Sequence, residues 1–244
     1  MQERITVPRA HVYRKPDNLS LQEGATVPHR YAAIFVALFF EHGLRLPLEP
    51  SVDGMENSPL IVWGAASGTG MFAIQALKSQ GYQTVIAVAS LKQKDKLLAI
   101  GASDVFDRND PQIAANIKAK YPDAFLGIAC QIDVNGWRAL LEVVKQDGTQ
   151  KTAPKGVVVY ITPPSSLEVP ERVELRRTVA FSLVQYPLGD QVIAKYLPKM
   201  LESPTFQLPK VPEVFSNGSL LERTKEALDV AGNNGQRSVV IKVN

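Results

Sequence analysis

The chain has 244 residues, 45% of them hydrophobic, and a net charge of +3 from 27 Lys and Arg against 24 Asp and Glu. That length holds one large core, or one domain with a smaller appendage. The basic residues are scattered and form no stripe with interleaved aromatics, which argues against a nucleic-acid partner. A single cysteine, Cys130, excludes an intrachain disulfide and any multi-cysteine zinc site, and it fits a reducing compartment. The first ten residues lack the apolar core of a signal peptide. The longest apolar run, residues 31–40, falls short of the ~20 residues that a bilayer-spanning helix needs. A soluble protein in the cytoplasm, with no membrane partner, is the expectation.

In chain order, residues 1–22 read as extended. Ile5 to Val7 and His11 to Tyr13 are short β-like runs stopped by Pro8 and Pro16. Residues 17–20 carry turn chemistry, and Ser20 followed by Glu23 has the spacing of a capping box. A helix over 28–42 is apolar on nearly every side, so it should be buried between layers, with Gly43 at its C-terminal cap. From residue 58 the pattern changes. Residues 60–63 form a continuous apolar run, as in a parallel strand covered on both faces. A glycine-rich turn follows, then a helix over 69–79, a strand over 84–89 and a helix over 92–100. Further strands are predicted at 104–106, 125–129 and 156–161, with helices at 111–120 and 136–144 between them. A sixth strand is placed at 179–183, and residues 146–155 read as a surface loop. The tail, from about residue 208, holds a strand (210–215), a helix (220–230) and a final strand (237–243). Strands alternating with helices of this length imply an α/β fold with a doubly wound parallel sheet.

The turn after the first strand reads Trp63-Gly-Ala-Ala-Ser-Gly-Thr-Gly70. Small residues there let the backbone approach a pyrophosphate. The N–H groups opening the next helix then donate to phosphate oxygens, aided by the helix dipole. Ala65 and Ser67 occupy the first two glycine positions of the usual pattern and Gly70 the third. The flanking buried strands supply the context that a bare glycine run lacks. The alternative is a tight strand-to-helix turn with no ligand. At the end of the second strand an NAD site usually places an Asp or Glu for the ribose 2′-hydroxyl. This chain has Ala89-Ser-Leu-Lys-Gln93, and no carboxylate until Asp95. Ser90 can hydrogen-bond a 2′-phosphate and Lys92 can neutralise it, which favours NADPH over NADH. Ser90 as a helix cap and Lys92 as a solvated residue are the bland alternative, and both readings can hold together. The same glycines match short-chain dehydrogenases, but that family needs Tyr-x-x-x-Lys. Tyr196 and Lys199 are one residue too close for it, and the fingerprint lies too far from the N-terminus.

The chain resembles medium-chain dehydrogenase/reductases, and most closely the zinc-independent, fungal trans-acting enoyl reductases that serve polyketide synthases. The resemblance runs from about residue 3 to 244. It is carried by Lys15-Pro-Asp-Asn-Leu-Ser20, by Val62-Trp-Gly-Ala-Ala-Ser-Gly-Thr-Gly70 with Ala73-Ile-Gln75, and by Ala89-Ser-Leu-Lys92. Gly101-Ala-Ser-Asp-Val-Phe-Asp107 and Arg237-Ser-Val-Val-Ile-Lys-Val243 add to it. It implies a Rossmann sheet in which Ser67, Gly68, Thr69 and Gly70 hold the pyrophosphate of NADPH. Ser90, Leu91, Lys92 and Gln93 would hold the 2′-phosphate. Ile161 and Thr162 would lie near the nicotinamide, and Val239 and Val240 near the cofactor from the tail. Position 108 is commonly a cofactor-contacting tyrosine in such relatives; here it is Arg108, which can meet a phosphate by different chemistry. Ala32, Val36 and Phe39 on a helix, with Phe181, Val184 and Gln185 on a strand, would line an acyl pocket, although their apolar character suits plain core packing as well.

The resemblance further implies that residues 23–207 form the dinucleotide-binding domain. Residues 1–22 and 208–244 would be remnants of a barrel-like substrate domain whose larger part precedes this segment in the relatives and is lacking here. Its loss would expose apolar surface on the tail and favour self-association or a partner such as a polyketide synthase. His11, His29 and His42 stand far apart, so no metal site is expected. Cys130 ends a strand and reads as a small buried hydrophobe. Gly-x-Ser-x-Gly is absent, so no nucleophilic serine site is placed. Asp107 and Asp110 punctuate a turn and cap a helix. No catalytic residue is assigned; Tyr160 and Tyr186 are the phenols weighed as proton donors. Three functions follow as expectations. One is an NADPH-dependent reductase of enoyl groups on an acyl or polyketide-type substrate. Another is a truncated fold turned to isomerisation or cyclisation of such a ligand. The third is a non-catalytic binding module that pairs with a larger synthase.

Overall fold

A computed structural model describes residues 6–8, 12–49, 58–130, 132–146, 155–160, 167–208, 213–233 and 239–241. In chain order the elements are α1 (Leu21–Ala25), α2 (Val27–Phe39), β1 (Leu60–Trp63), α3 (Gly68–Ser79), β2 (Val85–Ala89), α4 (Lys94–Ala99) and β3 (Asp104–Asp107). There follow α5 (Ile113–Lys120), β4 (Leu126–Ala129), α6 (Val134–Val144), β5 (Gly156–Tyr160), β6 (Val173–Arg177), α7 (Pro187–Gln191) and α8 (Leu197–Leu201). The tail holds β7 (Glu213–Phe215), α9 (Leu220–Asn233) and β8 (Val239–Ile241).

The first six strands make one parallel sheet in the order β3-β2-β1-β4-β5-β6, the doubly wound arrangement expected from the sequence. Every residue of β1, β2 and β4 is buried, which is why these runs are apolar throughout rather than alternating. The strand period of two still divides them. Leu60 and Val62 join a core with α2, α3 and α8, whereas Ile61 and Trp63 join a second core with α5 and α6 on the opposite face. The strand order reverses at β1, whose neighbours are β2 and β4. β7 and β8 pair parallel in a separate two-stranded sheet.

Local signals explain the starts of several helices. Ser20 and Glu23 form the full capping box: Glu23 N–H donates to Ser20 Oγ at 3.1 Å and Ser20 N–H to Glu23 Oε2 at 2.8 Å. The expected 28–42 helix starts one residue earlier, follows the short α1, and stops at Phe39. Gly43 is not its left-handed cap. The positive φ in that turn belongs to Arg45 (59°), and Gly43 is needed because a Cβ would strike the Val36 and Ala37 carbonyls.

Two expectations about the second half of the sheet are corrected. The sixth strand is Val173–Arg177, not 179–183, and Ala180–Val184 forms a 3-10 turn. β6 is an edge strand with only Val173 buried, so it lacks the apolar signature of its neighbours. Residues 187–201, to which the sequence reading gave no element, form α7, a π-helical turn (Val192–Tyr196) and α8. In the N-terminal segment, the described residues 6–8 and 12–16 carry no strand.

Candidate functional site

A cavity of about 550 Å³ opens at the carboxyl ends of β1, β2, β3 and β4. β1 and the turn after it contribute Trp63, Gly64, Ala66 and Ser67, and α3 adds Met71. From the end of β2 come Ala89, Ser90, Gln93 and Lys96; after β3 come Arg108 and Asn109; after β4 come Ile132, Asp133 and Gly136. This is the crevice outside a strand-order reversal where open α/β sheets bind nucleotides.

The glycine turn is held by its own backbone. Gly64 has φ 76°, a left-handed conformation that a side chain disfavours. The Gly64 and Ala65 N–H groups both donate to Val88 O at 3.1 Å, which pins the turn to β2, and Ser67 N–H donates to Gly64 O at 3.0 Å. Ser67 caps α3 by accepting the Gly70 N–H at 3.0 Å. The Gly68 and Thr69 amides, at the first turn of α3, have no acceptor within the helix. At Gly70 a Cβ would lie 2.7 Å from Ala65 Cα and 2.8 Å from Ala65 O, so this glycine seats the helix on the turn. Helix-mouth amides beside a close-packed backbone cradle are what a diphosphate requires.

The end of β2 carries no carboxylate. Ser90 is half-buried there, and Arg108 N–H donates to Ala89 O at 3.0 Å, which fastens the residue after β3 to the end of β2. Asn109 N–H donates to Asp107 Oδ1 at 3.1 Å and Gln112 N–H to Asp110 Oδ1 at 2.8 Å, so both aspartates do the turn work expected of them. Lys96 and Arg108 thus reach the cavity from two different elements beside Ser90.

The site residues anticipated from sequence divide as follows. Ser67, Ser90, Gln93 and Arg108 line the cavity; Gly68, Thr69 and Gly70 form the helix mouth behind Ser67. Leu91 and Lys92 are exposed and lie outside the lining, while Lys96, one turn beyond Lys92, takes part in it. Ile161, Thr162 and the side chains of Phe181 and Val239 fall outside the described residues. Val240 sits half-buried in β8, in the separate small sheet. α2 does pack against the 180–184 turn. However, Val36 and Phe39 are 0% and 5% exposed within the main core, and Ala32 packs against the same core, so these positions fill space rather than frame an opening. Val184 and Gln185 are exposed. Neither Tyr160 nor Tyr186 lines the cavity: the Tyr160 ring packs on Trp137, and Tyr186 OH stands 3.4 Å from His42 Nε2 at an exposed position. Cys130 keeps partial exposure, but burial pushes its thiol pKa up to about 12, which makes it a poor nucleophile. Sequence reasoning missed Lys96, Asn109 and Asp133. Spacing offered a signal for two of them. Ser90, Gln93 and Lys96 recur at three-residue intervals, and Asp133 stands three residues before Gly136 at a helix start.

Among the described residues no helix is long and apolar enough to cross a membrane, and no group of three or more His, Cys, Asp and Glu could hold a metal ion.

The sheet order and the glycine turn define a Rossmann-type nucleotide-binding fold of the kind found in medium-chain oxidoreductases. A quinone oxidoreductase of Thermus thermophilus, solved also as its complex with NADPH, shares this fold: TM-score 0.61 at 19% identity, covering 93% of this chain and 68% of that one. No family model matches the chain. In sequence it is similar to fungal trans-enoyl reductases, as the motifs implied. One from Aspergillus terreus is 33% identical over 134 residues, 54% of this chain and 43% of the relative. Another, from Aspergillus japonicus, is 26% identical over 226 residues, 92% of this chain and 63% of the relative. The chain therefore spans less than two thirds of the length of either.

Proposed function

We propose that the chain is a zinc-independent, NADPH-dependent reductase of an α,β-unsaturated acyl or polyketide-type substrate, working with a polyketide synthase that presents it. The observation that carries this reading is the cavity at the β1–β4 ends, which joins a diphosphate cradle to a cationic corner without a carboxylate. In it, Ser67, Gly68 and Thr69 hold the pyrophosphate, with Gly70 allowing the close approach. Ser90, Gln93, Lys96 and Arg108 hold the 2′-phosphate, which Lys and Arg favour through charge-assisted hydrogen bonds. When bound, the reduced nicotinamide supplies a hydride for the β-carbon of the enoyl group. The chain's own residues orient and shield rather than react: the small residues of the turn fix the diphosphate, and the apolar face of α2 and the 180–184 turn exclude water from the substrate side. The separate β7–β8 sheet supports assigning residues 208–244, together with 1–22, to a substrate-binding part distinct from the coenzyme unit at 23–207.

Calorimetric titration with NADPH and NADH tests the reading. A phosphate held by charged groups contributes ~1.5–3 kcal/mol, so NADPH should bind ~10–100-fold tighter than NADH. Equal affinities would overturn the NADPH assignment, and turnover of an enoyl substrate without NADPH consumption would overturn the reductase.

A further inference from the structure

We propose that Asp133 holds the ribose hydroxyls of the second nucleotide, the half of the dinucleotide that carries nicotinamide; the proposal rests on the dinucleotide reading above. The sheet divides at β1 into two halves, β1-β2-β3 and β4-β5-β6. A dinucleotide bound across such a reversal lays one nucleotide on each half, with the diphosphate between them at the glycine turn. On the β2–β3 side the cavity offers Ser90, Lys96 and Arg108, groups suited to a phosphate. On the β4 side it offers the carboxylate of Asp133. An ionised carboxylate only accepts hydrogen bonds and repels phosphate, so the moiety facing it must be a donor without negative charge. In the second nucleotide that moiety is the ribose diol.

The side chain is held in place for this role. Asp133 caps α6, its Oδ1 accepting the Gly136 N–H at 2.7 Å. Gly136 in turn leaves no room for a side chain: a Cβ would lie 2.8 Å from both Ile132 Cγ1 and Trp63 Nε1. The first turn of α6 is therefore pressed against the ends of β1 and β4, and Asp133 stands fixed at the cavity wall. Its second carboxylate oxygen is the acceptor that faces the ligand. Cations on one side and the carboxylate on the other also give the cavity a polarity, which admits the dinucleotide in one orientation only.

Asp133→Asn separates this role from capping. Asparagine caps a helix as well as aspartate does, but its second terminal atom becomes an N–H donor. NADPH and adenosine 2′,5′-bisphosphate, which lacks the second nucleotide, serve as calorimetric probes. Removing one hydrogen bond to a charged acceptor should weaken NADPH ~10-fold while leaving the bisphosphate within about twofold of the unaltered chain. Asp133→Ser, which keeps a capping hydroxyl and lacks the outer oxygen, should behave alike and provides a second fold-preserving variant. Unchanged NADPH affinity in both variants, or equal weakening of both probes, overturns the proposal and leaves the dinucleotide site standing. An unaltered chain that binds neither probe overturns the dinucleotide reading and this inference with it.

Discussion

At the scale of single residues, the lysine that serves the coenzyme depends on the direction of one short helix. Lys92 is the cation nearest the end of β2 in sequence, yet it is exposed and turned away from the cavity. The segment Leu91–Gln93 winds as a 3-10 turn before α4 begins, and this brings Ser90, Gln93 and Lys96 to one side. The presence of a phosphate corner was legible from the missing carboxylate; which lysine fills it was not, because that depends on where the 3-10 turn gives way to α4. Lys96→Gln and Arg108→Gln should each lower NADPH affinity ~10-fold and leave NADH nearly untouched, since each removes one charge-assisted contact to the 2′-phosphate alone. Lys92→Gln should change NADPH affinity less than twofold. A larger loss at Lys92 than at Lys96 in the same titrations would return the assignment to the sequence-adjacent lysine.

At the scale of elements, legibility tracked burial on both faces. β1, β2 and β4 were readable because a strand covered on both sides must be apolar throughout. β6 was not, because as an edge strand reading Val-Glu-Leu-Arg-Arg it buries only Val173. The α7–α8 region carries a helical pattern in Val192, Ile193, Tyr196, Leu197, Met200 and Leu201, all buried. Pro187 and Pro198 masked it, although both stand in the first turn of their helices, where proline is tolerated. The segment after α8 is tied back to α3 by one side chain. Gln75, 5% exposed, donates through Nε2 to Gln207 O at 3.0 Å and accepts Gln207 N–H on Oε1 at 2.6 Å. Gln75→Leu keeps the volume but leaves both backbone groups of Gln207 without these partners. Since such orphaned groups cost ~1–3 kcal/mol, the urea unfolding free energy should fall by ~2 kcal/mol. Hydrogen exchange at the Gln207 amide should accelerate in the same variant. A loss within ordinary surface variation would mean that Phe206, stacked edge-on against Phe72 at 6.0 Å, anchors the segment instead.

At the scale of the whole molecule, the same burial that builds the two cores sets the pH range of stability. Burial pushes the Cys130 thiol up to about 12 from an ordinary 9.0; burial and the neighbouring Tyr31 push the Tyr13 phenol up to about 12 from 10.0. Both groups are neutral when protonated, and folding favours that form. Their contribution is therefore complete below pH 9 and 10 respectively, and it is lost as pH rises through the folded values. The acid side runs the other way. Asp104 pays a burial cost, but its hydrogen bond and ion pair with Lys120 at 2.5 Å hold its carboxyl below the ordinary value. The Arg176 bond at 2.8 Å does the same for Glu174. Those contributions are present above the ordinary carboxylate range and fade as pH falls through the lowered values, and as partly exposed pairs they count for little. Urea midpoints measured from pH 3 to 11 should therefore show a broad plateau with a steeper fall on the alkaline side. Cys130→Ala should flatten that alkaline fall, because it removes one of the two groups that must ionise. The thiol supplies an independent readout: only the thiolate attacks a disulfide reagent, so at pH 8 Cys130 in the folded chain should react at least ~100-fold more slowly than in urea. Reaction at the unfolded rate would show that the end of β4 is open to solvent and that the cores do not set the alkaline limit.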